Sequence, residues 1–326
     1  MPKAILIAFE YTHTHSCLSG AIIDLYEAYT WCMSWNCSVH ILTDIHHRPN
    51  SQIIQDALSA GIVGNDIRNF SNVPKNIVRS RTDVIDCIGE ILNSTPLSDD
   101  QLVIYYTGHG IKDSIVLPDG GHLSFVHFKN SILHNIRPSV HIFWILDCCN
   151  PNGLRLPYIL NNNSFTLAQS SSVQFSVNPI LLITSARTNE KSVSTKLGSV
   201  FSHNLFKILT TFNKPFTLKI EEGTPIIPTS RNRNLRRLTG TLSSAIRKMA
   251  TGYTQTVSIY SSYIMDPILW LWIGSSKSYN VNMDPSLSIF MIQARDHQHA
   301  AKTIHSSSEQ DTECEPYNPY DLIYPE

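Results

Sequence analysis

Apolar positions along this chain fall into two alternating patterns. The run Ala4-Ile5-Leu6-Ile7-Ala8-Phe9 is apolar throughout, and similar short runs recur at Ser38 to Leu42, Val103 to Tyr106, Ile142 to Leu146 and Ile180 to Ser185, with a last one at Gln255 to Ser261. Continuous apolar stretches of this length, bounded by turn residues, are read as strands buried on both faces of a parallel sheet. Between them the period lengthens. Ile22, Leu25 and Tyr29 share one face of a helix running from about Leu18 to Trp35. Val84, Ile88 and Ile91 do so in a helix over Ile77 to Leu92, and Phe201, Leu205 and Leu209 in one over Ser199 to Phe212. Further helices are expected at Ser51 to Ala60, Phe125 to Asn135 and Leu238 to Met249. Ser114 to Leu123 predicts a hairpin, because Asp119-Gly120-Gly121 separates two apolar runs. The Asn-, Ser- and Gln-rich stretch from Asn150 to Asn178 predicts a mobile loop. Beyond about residue 275 regularity fades, and Ser306 to Glu326 is expected to be a disordered tail. Strand–helix alternation of this kind specifies the α/β class: a mostly parallel sheet with helices on both faces.

Two of the six strands stop at reactive side chains. Val103-Ile104-Tyr105-Tyr106-Thr107 runs into Gly108-His109-Gly110, and Ile142-Phe143-Trp144-Ile145-Leu146 runs into Asp147-Cys148-Cys149. Ligands of open α/β sheets bind at the carboxyl ends of the strands, so both strands deliver chemistry to one edge. A thiol and an imidazole meeting there form a nucleophile–base pair. With fourteen His and seven Cys in the chain, neither residue type is informative alone. The wording around them is. Glycine on both sides of His109 suits a sharp turn and close backbone approach to a substrate.

These two segments resemble the caspase/metacaspase cysteine peptidases of clan CD, the metacaspases most closely, which carry a Tyr-[Ser/Thr]-Gly-His-Gly turn and an Asp-X-Cys turn. The resemblance implies a caspase-like fold with a six-stranded sheet, His109 as the catalytic histidine and Cys149 as the nucleophile, with Cys148 at the variable position. It also implies an oxyanion hole from the N–H groups of Gly110 and Cys149. Gly198-Ser199-Val200-Phe201 resembles the family's Gly-Ser-X-Phe, and Thr254-Gln255-Thr256 resembles its last strand, with Val257 where a Pro is usual. On this reading residues 1–275 are the peptidase domain: a large-subunit-like part over 1–150, a linker over 150–178 and a small-subunit-like part over 179–275. Residues 276–326 form a C-terminal extension. Cys148 is the rival nucleophile. Because side chains alternate along an extended strand end, only one of the two thiols can meet His109.

Substrate preference follows from charge. Asp147 lies two residues before Cys149 and shares its side, where it would neutralise a substrate cation; the alternative is a solvated loop acid. Asp24, in Leu18-Ser19-Gly20-Ala21-Ile22-Ile23-Asp24, resembles the pocket Asp of the metacaspase Leu-X-Gly-X-X-Asn-Asp segment, with Ile23 in place of Asn. Its alternative role is a first-turn acid complementing the helix dipole. Thr107 is grouped with these acids as a pocket residue. Caspases hold a P1 Asp with arginines, and this chain has no Arg before Arg48. The expected substrate is therefore a protein or peptide with P1 Arg or Lys.

The remaining composition narrows the picture. A formal net charge of −1 selects neither nucleic acid nor an anionic membrane. The longest late apolar run, Ile268 to Ile273, is too short to span a bilayer. Met1-Pro2-Lys3 leads directly into the first strand, so neither a secretory leader nor an N-terminal adaptor module is expected. Seven irregularly spaced cysteines suit a reducing, cytoplasmic setting. No cofactor and no metal are expected. Asp113 and Asp119 are isolated, and no acid falls between Asn150 and Asn189, which is poor material for the calcium site of many metacaspases. His13, His15, His46 and His47 lack acid or thiol partners at ligand spacing, and Arg231, Arg233, Arg236 and Arg237 are read as a solvated run. The segment after Cys149, Asn150-Pro151-Asn152-Gly153, departs from the family's His-Ser-Gly. Within the linker the only basic cleavage point is Arg155, so activity as a single chain is expected. Caspases dimerise through their last strand and metacaspases are generally monomeric; a monomer is expected here. The readings competing with a basic-specific peptidase are a silent caspase-like protein that binds peptides or a peptidase as a decoy, and a caspase-type enzyme with P1 Asp.

Overall fold

The computed structural model describes residues 2–12, 14–45, 51–70, 72–94, 101–138, 140–151, 154–161, 164–168, 176, 178–187, 189–212, 234–249 and 255–262. The fully apolar segments form the strands of one sheet. In chain order the elements are β1 (Lys3–Ala8), α1 (Ala21–Ser34), β2 (Ser38–Thr43), α2 (Ser51–Ser59), α3 (Ile67–Phe70), β3 (Asn76–Ile77), α4 (Arg81–Ser94) and β4 (Gln101–Thr107). The short strands β5 (Gly110–Ile111), β6 (Ser114–Val116) and β7 (His122–Ser124) follow, then α5 (Phe125–Leu133) and β8 (His141–Asp147). The chain continues through β9 (Tyr158–Asn161), β10 (Ser164–Leu167), β11 (Ile180–Thr184), β12 (Ser194–Thr195), β13 (Gly198–Ser199), α6 (Val200–Phe212), α7 (Asn234–Met249) and β14 (Ser258–Ser261).

The sheet order is β10-β9-β14-β11-β8-β4-β1-β2-β3. Strands β2, β1, β4, β8 and β11 are mutually parallel, and β14 closes this six-strand core antiparallel to β11. The class and the six-strand core are those expected of a caspase-like fold. Strand alternation splits the interior into two apolar layers. Ala4, Leu6, Ala8, Val103, Tyr105, Phe143 and Ile145 pack with α1, α2, α3, α6 and α7. Ile5, Ile7, Leu102, Ile104, Tyr106, Ile142, Trp144 and Leu146 pack with α4 and α5. Buried runs with no polar alternation are thus the direct signature of a sheet covered on both sides.

Three expectations need correction. The helix placed over Ile77 to Leu92 starts at Arg81, and Asn76–Ile77 instead pairs with the end of β2. The start is set by a reciprocal cap: the Ser80 hydroxyl accepts the Asp83 N–H at 3.2 Å, and the Asp83 carboxylate accepts the Ser80 N–H at 3.0 Å. The stretch 150–178 is not loop throughout. Tyr158–Asn161 and Ser164–Leu167 form a hairpin that extends the sheet beyond β14, paired through Tyr260↔Ile159 and Ser261↔Tyr158. Only two residues, Asn162 and Asn163, separate its strands, so a short hairpin lies within a polar composition. The sheet consequently has nine strands rather than six. The hairpin after β5 forms as expected, with β6 and β7 paired around Asp119-Gly120-Gly121. Residues 263–326, which include the Ile268–Ile273 run, the junction at 275 and the tail, lie outside the described residues, as do His13, His46 and His47 and the side chains of the Arg231 to Arg237 cluster. Among the described residues no helix is long and apolar enough to cross a membrane.

The Phe128 and Trp144 rings meet edge-on, with centroids 5.3 Å apart, where α5 crosses the sheet. Phe128→Ala is expected to lower unfolding stability by about 3–5 kcal/mol, read as a lower denaturant midpoint in equilibrium unfolding.

Candidate active site

The site is assembled by register. β4 and β8 run parallel with Thr107 opposite Asp147, and the Gly108 N–H extends the ladder to the Asp147 carbonyl at 3.2 Å. The chains then part at the carboxyl edge, β4 continuing into His109 and β8 into Cys148-Cys149. Alternation sends Leu146 and Cys148 into the layer under α4 and α5. Cys148 is 1% exposed, and burial pushes its thiol well above the usual range. Cys149 falls on the opposite parity and is partly exposed. Burial raises its thiol pKa and the Asp147 charge adds to this, while the Ser192 N–H and the Lys191 charge work against them.

Gly110 fills a gap that no side chain would fit. A Cβ there would run into the Cys149 carbonyl oxygen and come within 2.9 Å of Cys148 Sγ. Val116 donates its N–H to the His109 carbonyl at 3.0 Å, so the next pair along this ribbon, Gly110↔Ile115, is a non-hydrogen-bonded one. The Gly110 N–H therefore points away from β6.

His109 Nε2 lies 2.6 Å from the Ser16 carbonyl oxygen. A carbonyl only accepts, so Nε2 carries the hydrogen and Nδ1 is the basic nitrogen. Burial lowers the imidazole pKa, and the Ser16 bond opposes the shift. The His109 ring lies against that of Tyr11, centroids 4.6 Å apart, and its backbone N–H donates to the Tyr11 hydroxyl at 2.9 Å. The Tyr106 hydroxyl donates to the His109 carbonyl at 2.7 Å. Strand pairing brings His109 and Cys149 to the same edge, but among the described contacts no hydrogen bond joins the two side chains.

The acids lie on the α1 and α6 side of the same strand ends, the side that Asp147 shares with Cys149 by parity. Asp24, on the first turn of α1, is 1% exposed and Asp147 is 3% exposed. The Ser199 N–H donates to Asp24 Oδ1 at 2.7 Å, and the Thr107 hydroxyl reaches Oδ2 at 3.4 Å. Asp147 accepts from the Ser192 hydroxyl at 2.7 Å and the Ser202 hydroxyl at 2.6 Å; Ser202 in turn meets the Tyr105 hydroxyl at 2.7 Å. Burial holds the Asp24 carboxyl well above the usual range, and the charge of Asp147 pushes it further. Gly198, at φ +103°, lets the β12–β13 turn close on this carboxylate, since a Cβ there would sit 2.6 Å from Asp24 Oδ1. Asp24, Thr107 and Asp147 thus form one buried polar group, and Ser192 links it to Cys149.

After Cys149, Asn150 and Arg155 are each tied down. Asn150 adopts φ +50°, a left-handed conformation that Asn tolerates better than most residues, and its Oδ1 accepts the Asn189 N–H at 2.7 Å. Arg155 pairs with Asp113 at 3.6 Å, and Lys129 donates to the Leu154 carbonyl at 3.3 Å. Asp119 accepts the Gly121 N–H at 2.8 Å inside its own turn. Asp113 and Asp119 are thus committed to an ion pair and a turn. Among the described residues no three His, Cys, Asp or Glu side chains gather as a metal would need.

Sequence reasoning passed over Tyr11, Ser16, Ser192 and Ser202. Three of them act through groups every serine or backbone carries, so no motif announces them. Tyr11, directly after the first apolar run, carried the one available signal: a bulky polar residue at a strand exit.

No family model and no curated protein matches this sequence. Among solved structures the chain is similar to the protein GSU0716 from Geobacter sulfurreducens, at 13% identity and a TM-score of 0.48, over 80% of this chain and 92% of that one. It is also similar to Caspase-1 from Spodoptera frugiperda, at 13% identity and a TM-score of 0.47, over 85% of this chain and 91% of that one.

Both shifts favour the neutral form of the pair at neutral pH: a depressed imidazole and a raised thiol. Alkylation of Cys149 by iodoacetamide is expected to accelerate on the alkaline side of an ordinary thiol, above about pH 8.5, while native Cys148 stays unlabelled until unfolding. Rates read by mass spectrometry across pH check both; a plateau already reached below neutrality would contradict them.

Proposed function

We propose that this caspase-like chain is a metacaspase-like cysteine endopeptidase cleaving after Arg or Lys. The observation that carries the reading is the Thr107↔Asp147 register, which aligns a histidine turn and a cysteine turn at one sheet edge with two buried carboxylates beneath them.

In the proposed reaction Cys149 Sγ attacks the scissile carbonyl carbon and its proton passes to His109 Nδ1, which the Ser16 contact leaves unprotonated. The negative charge formed on the carbonyl oxygen is met by the N–H groups of Gly110 and Cys149. His109 returns the proton to the departing amine, leaving a thioester on Cys149. Water then attacks the thioester carbon and gives a proton to His109; the C–S bond breaks, the carboxylic acid leaves, and His109 returns the proton to the Cys149 thiolate.

Asp24 and Asp147 explain the basic preference. Each of the four carboxylate oxygens takes one protein donor, which leaves further lone-pair sites for a guanidinium or ammonium. Two acids in one buried place cannot both hold charge cheaply, so burial and the Asp147 charge favour a proton on Asp24. A basic P1 side chain displaces it. An Asp side chain in the same place would add a third acid. No metal enters this scheme. The β9–β10 hairpin covers the edge of β14 through which caspases dimerise, which supports a monomer.

A second reading, a silent peptide-binding or decoy protein, is favoured by one observation: no hydrogen bond joins His109 to Cys149 among the described contacts. Catalytic contacts often tighten only with substrate bound, so this does not displace the first reading.

The test is hydrolysis of fluorogenic peptides with P1 Arg, Lys or Asp by wild type and Cys149→Ala, with chelator and with added calcium. Turnover of the Arg and Lys peptides alone, abolished in Cys149→Ala and indifferent to calcium, is expected. Turnover only after Asp would remove the assignment of the acids, and none at all would transfer the function to binding. Within the active case KM for the Arg peptide falls as pH rises through the elevated Asp24 pKa, because ionised Asp24 binds the cation. Asp24→Asn is expected to raise that KM at least about tenfold without lowering Tm, since it removes a buried acid whose ionisation opposes folding.

A further inference from the structure

Tyr11 has a conformation that the strand pattern does not account for. Its φ of +56° is left-handed, a region a bulky side chain occupies only when its surroundings hold it there. The holding group is visible. Both oxygens of Asp44, which lies immediately beyond β2, are engaged by this one turn: Oδ1 accepts the Glu10 N–H and Oδ2 the Tyr11 N–H, each at 2.8 Å. Asp44 is itself buried. The Tyr11 side chain is equally committed. Its hydroxyl donates to the Val116 carbonyl at 2.9 Å, lies 3.2 Å from the Tyr106 hydroxyl, and accepts the His109 N–H. Its ring lies against the imidazole, and Gly108, before His109, admits the two tyrosine hydroxyls where a Cβ would meet both.

We infer that Asp44 and Tyr11 are a two-part positioning device for His109, in which Asp44 holds the strained Tyr11 backbone and Tyr11 fixes both the backbone and the ring plane of the histidine. The inference rests on the Cys149/His109 reading above. Asp44 touches neither side chain of that pair and acts only through Tyr11. Two directions of restraint meet on the imidazole: Ser16 fixes its Nε2 end, and Tyr11 fixes its face and its main chain. Together they leave Nδ1 one direction in which to accept a proton. A merely structural role for Asp44 would affect stability and leave the acid–base behaviour of the pair alone.

The experiment compares wild type, His109→Ala, Tyr11→Phe, Asp44→Asn, Asp44→Ala and the Tyr11→Phe/Asp44→Ala double variant. The readout is the rate of Cys149 carboxamidomethylation by iodoacetamide from about pH 6 to about pH 10, with thermal melts alongside. This needs no turnover of a peptide. Displacement of the alkaline rise to higher pH in His109→Ala, with the rate on that rise lowered about tenfold in Tyr11→Phe and in Asp44→Ala, is expected. Asp44→Asn, which keeps one acceptor, recovers part of the rate, and the double variant is no slower than the slower single, because both act along one path. Tyr11→Phe retains the ring and is expected to melt within a few degrees of wild type, so a rate loss there is not unfolding. A wild-type profile in Tyr11→Phe beside an altered one in His109→Ala overturns the positioning device alone. An unaltered profile in His109→Ala overturns the pair and the device together.

Discussion

Everything at the site depends on one constraint, the parallel, in-register pairing of β4 with β8. Because side chains alternate strictly along a strand, fixing Thr107 opposite Asp147 fixes the destination of every neighbour. Cys148 must enter the layer under α4 and α5, and Asp147 must enter the layer under α1 and α6. A slip of one residue would exchange the two thiols and turn the Asp147 carboxylate, stripped of its donors, into the layer that holds Phe128. Because both strands are apolar on both faces, the register is held by the polar residues at their ends, Thr107 and Asp147, which find their partners in this alignment.

The second organising force is electrostatic. Asp24 and Asp147 are expensive to bury, and the surrounding segments are arranged around that cost. Four donors come from separate places: Thr107 at the end of β4, Ser192 before β12, Ser199 in β13 and Ser202 on α6. Each of these segments is thereby tied to the sheet at the edge where the thiol and imidazole lie. The polar cluster acts as a clasp between the α6 layer and the strands, and removing any donor would leave a buried carboxylate oxygen less satisfied.

Much of this was legible in the sequence. The strands were visible because a sheet covered on both faces demands unbroken apolar runs, and the amphipathic helices because one face must be polar. His109 and Cys149 stood out because each run ends abruptly at a reactive group. Other features were not legible, for identifiable reasons. The start of α4 was misplaced because Ile77 looks like a helical position, while the Ser80–Asp83 cap that sets the boundary is made of two unremarkable residues. The β9–β10 hairpin was read as loop because four-residue strands contribute few apolar positions against an Asn- and Ser-rich background. Ser16 and Ser192 contribute a carbonyl and an N–H that every residue possesses, so only the three-dimensional path of the chain can single them out.

The hairpin also changes what a break in the chain would mean. It lies between β8 and β11 in sequence, yet in space β9 is laced to β14, at the far end of the chain order. A peptide bond severed between β9 and β10 would therefore leave one piece holding the other by β9–β14 and β8–β11 hydrogen bonds and by the shared apolar layers. Covalent continuity and structural continuity are separate properties here: the linker is woven into the sheet, so a nicked molecule would keep its shape and its two halves would travel together until denatured.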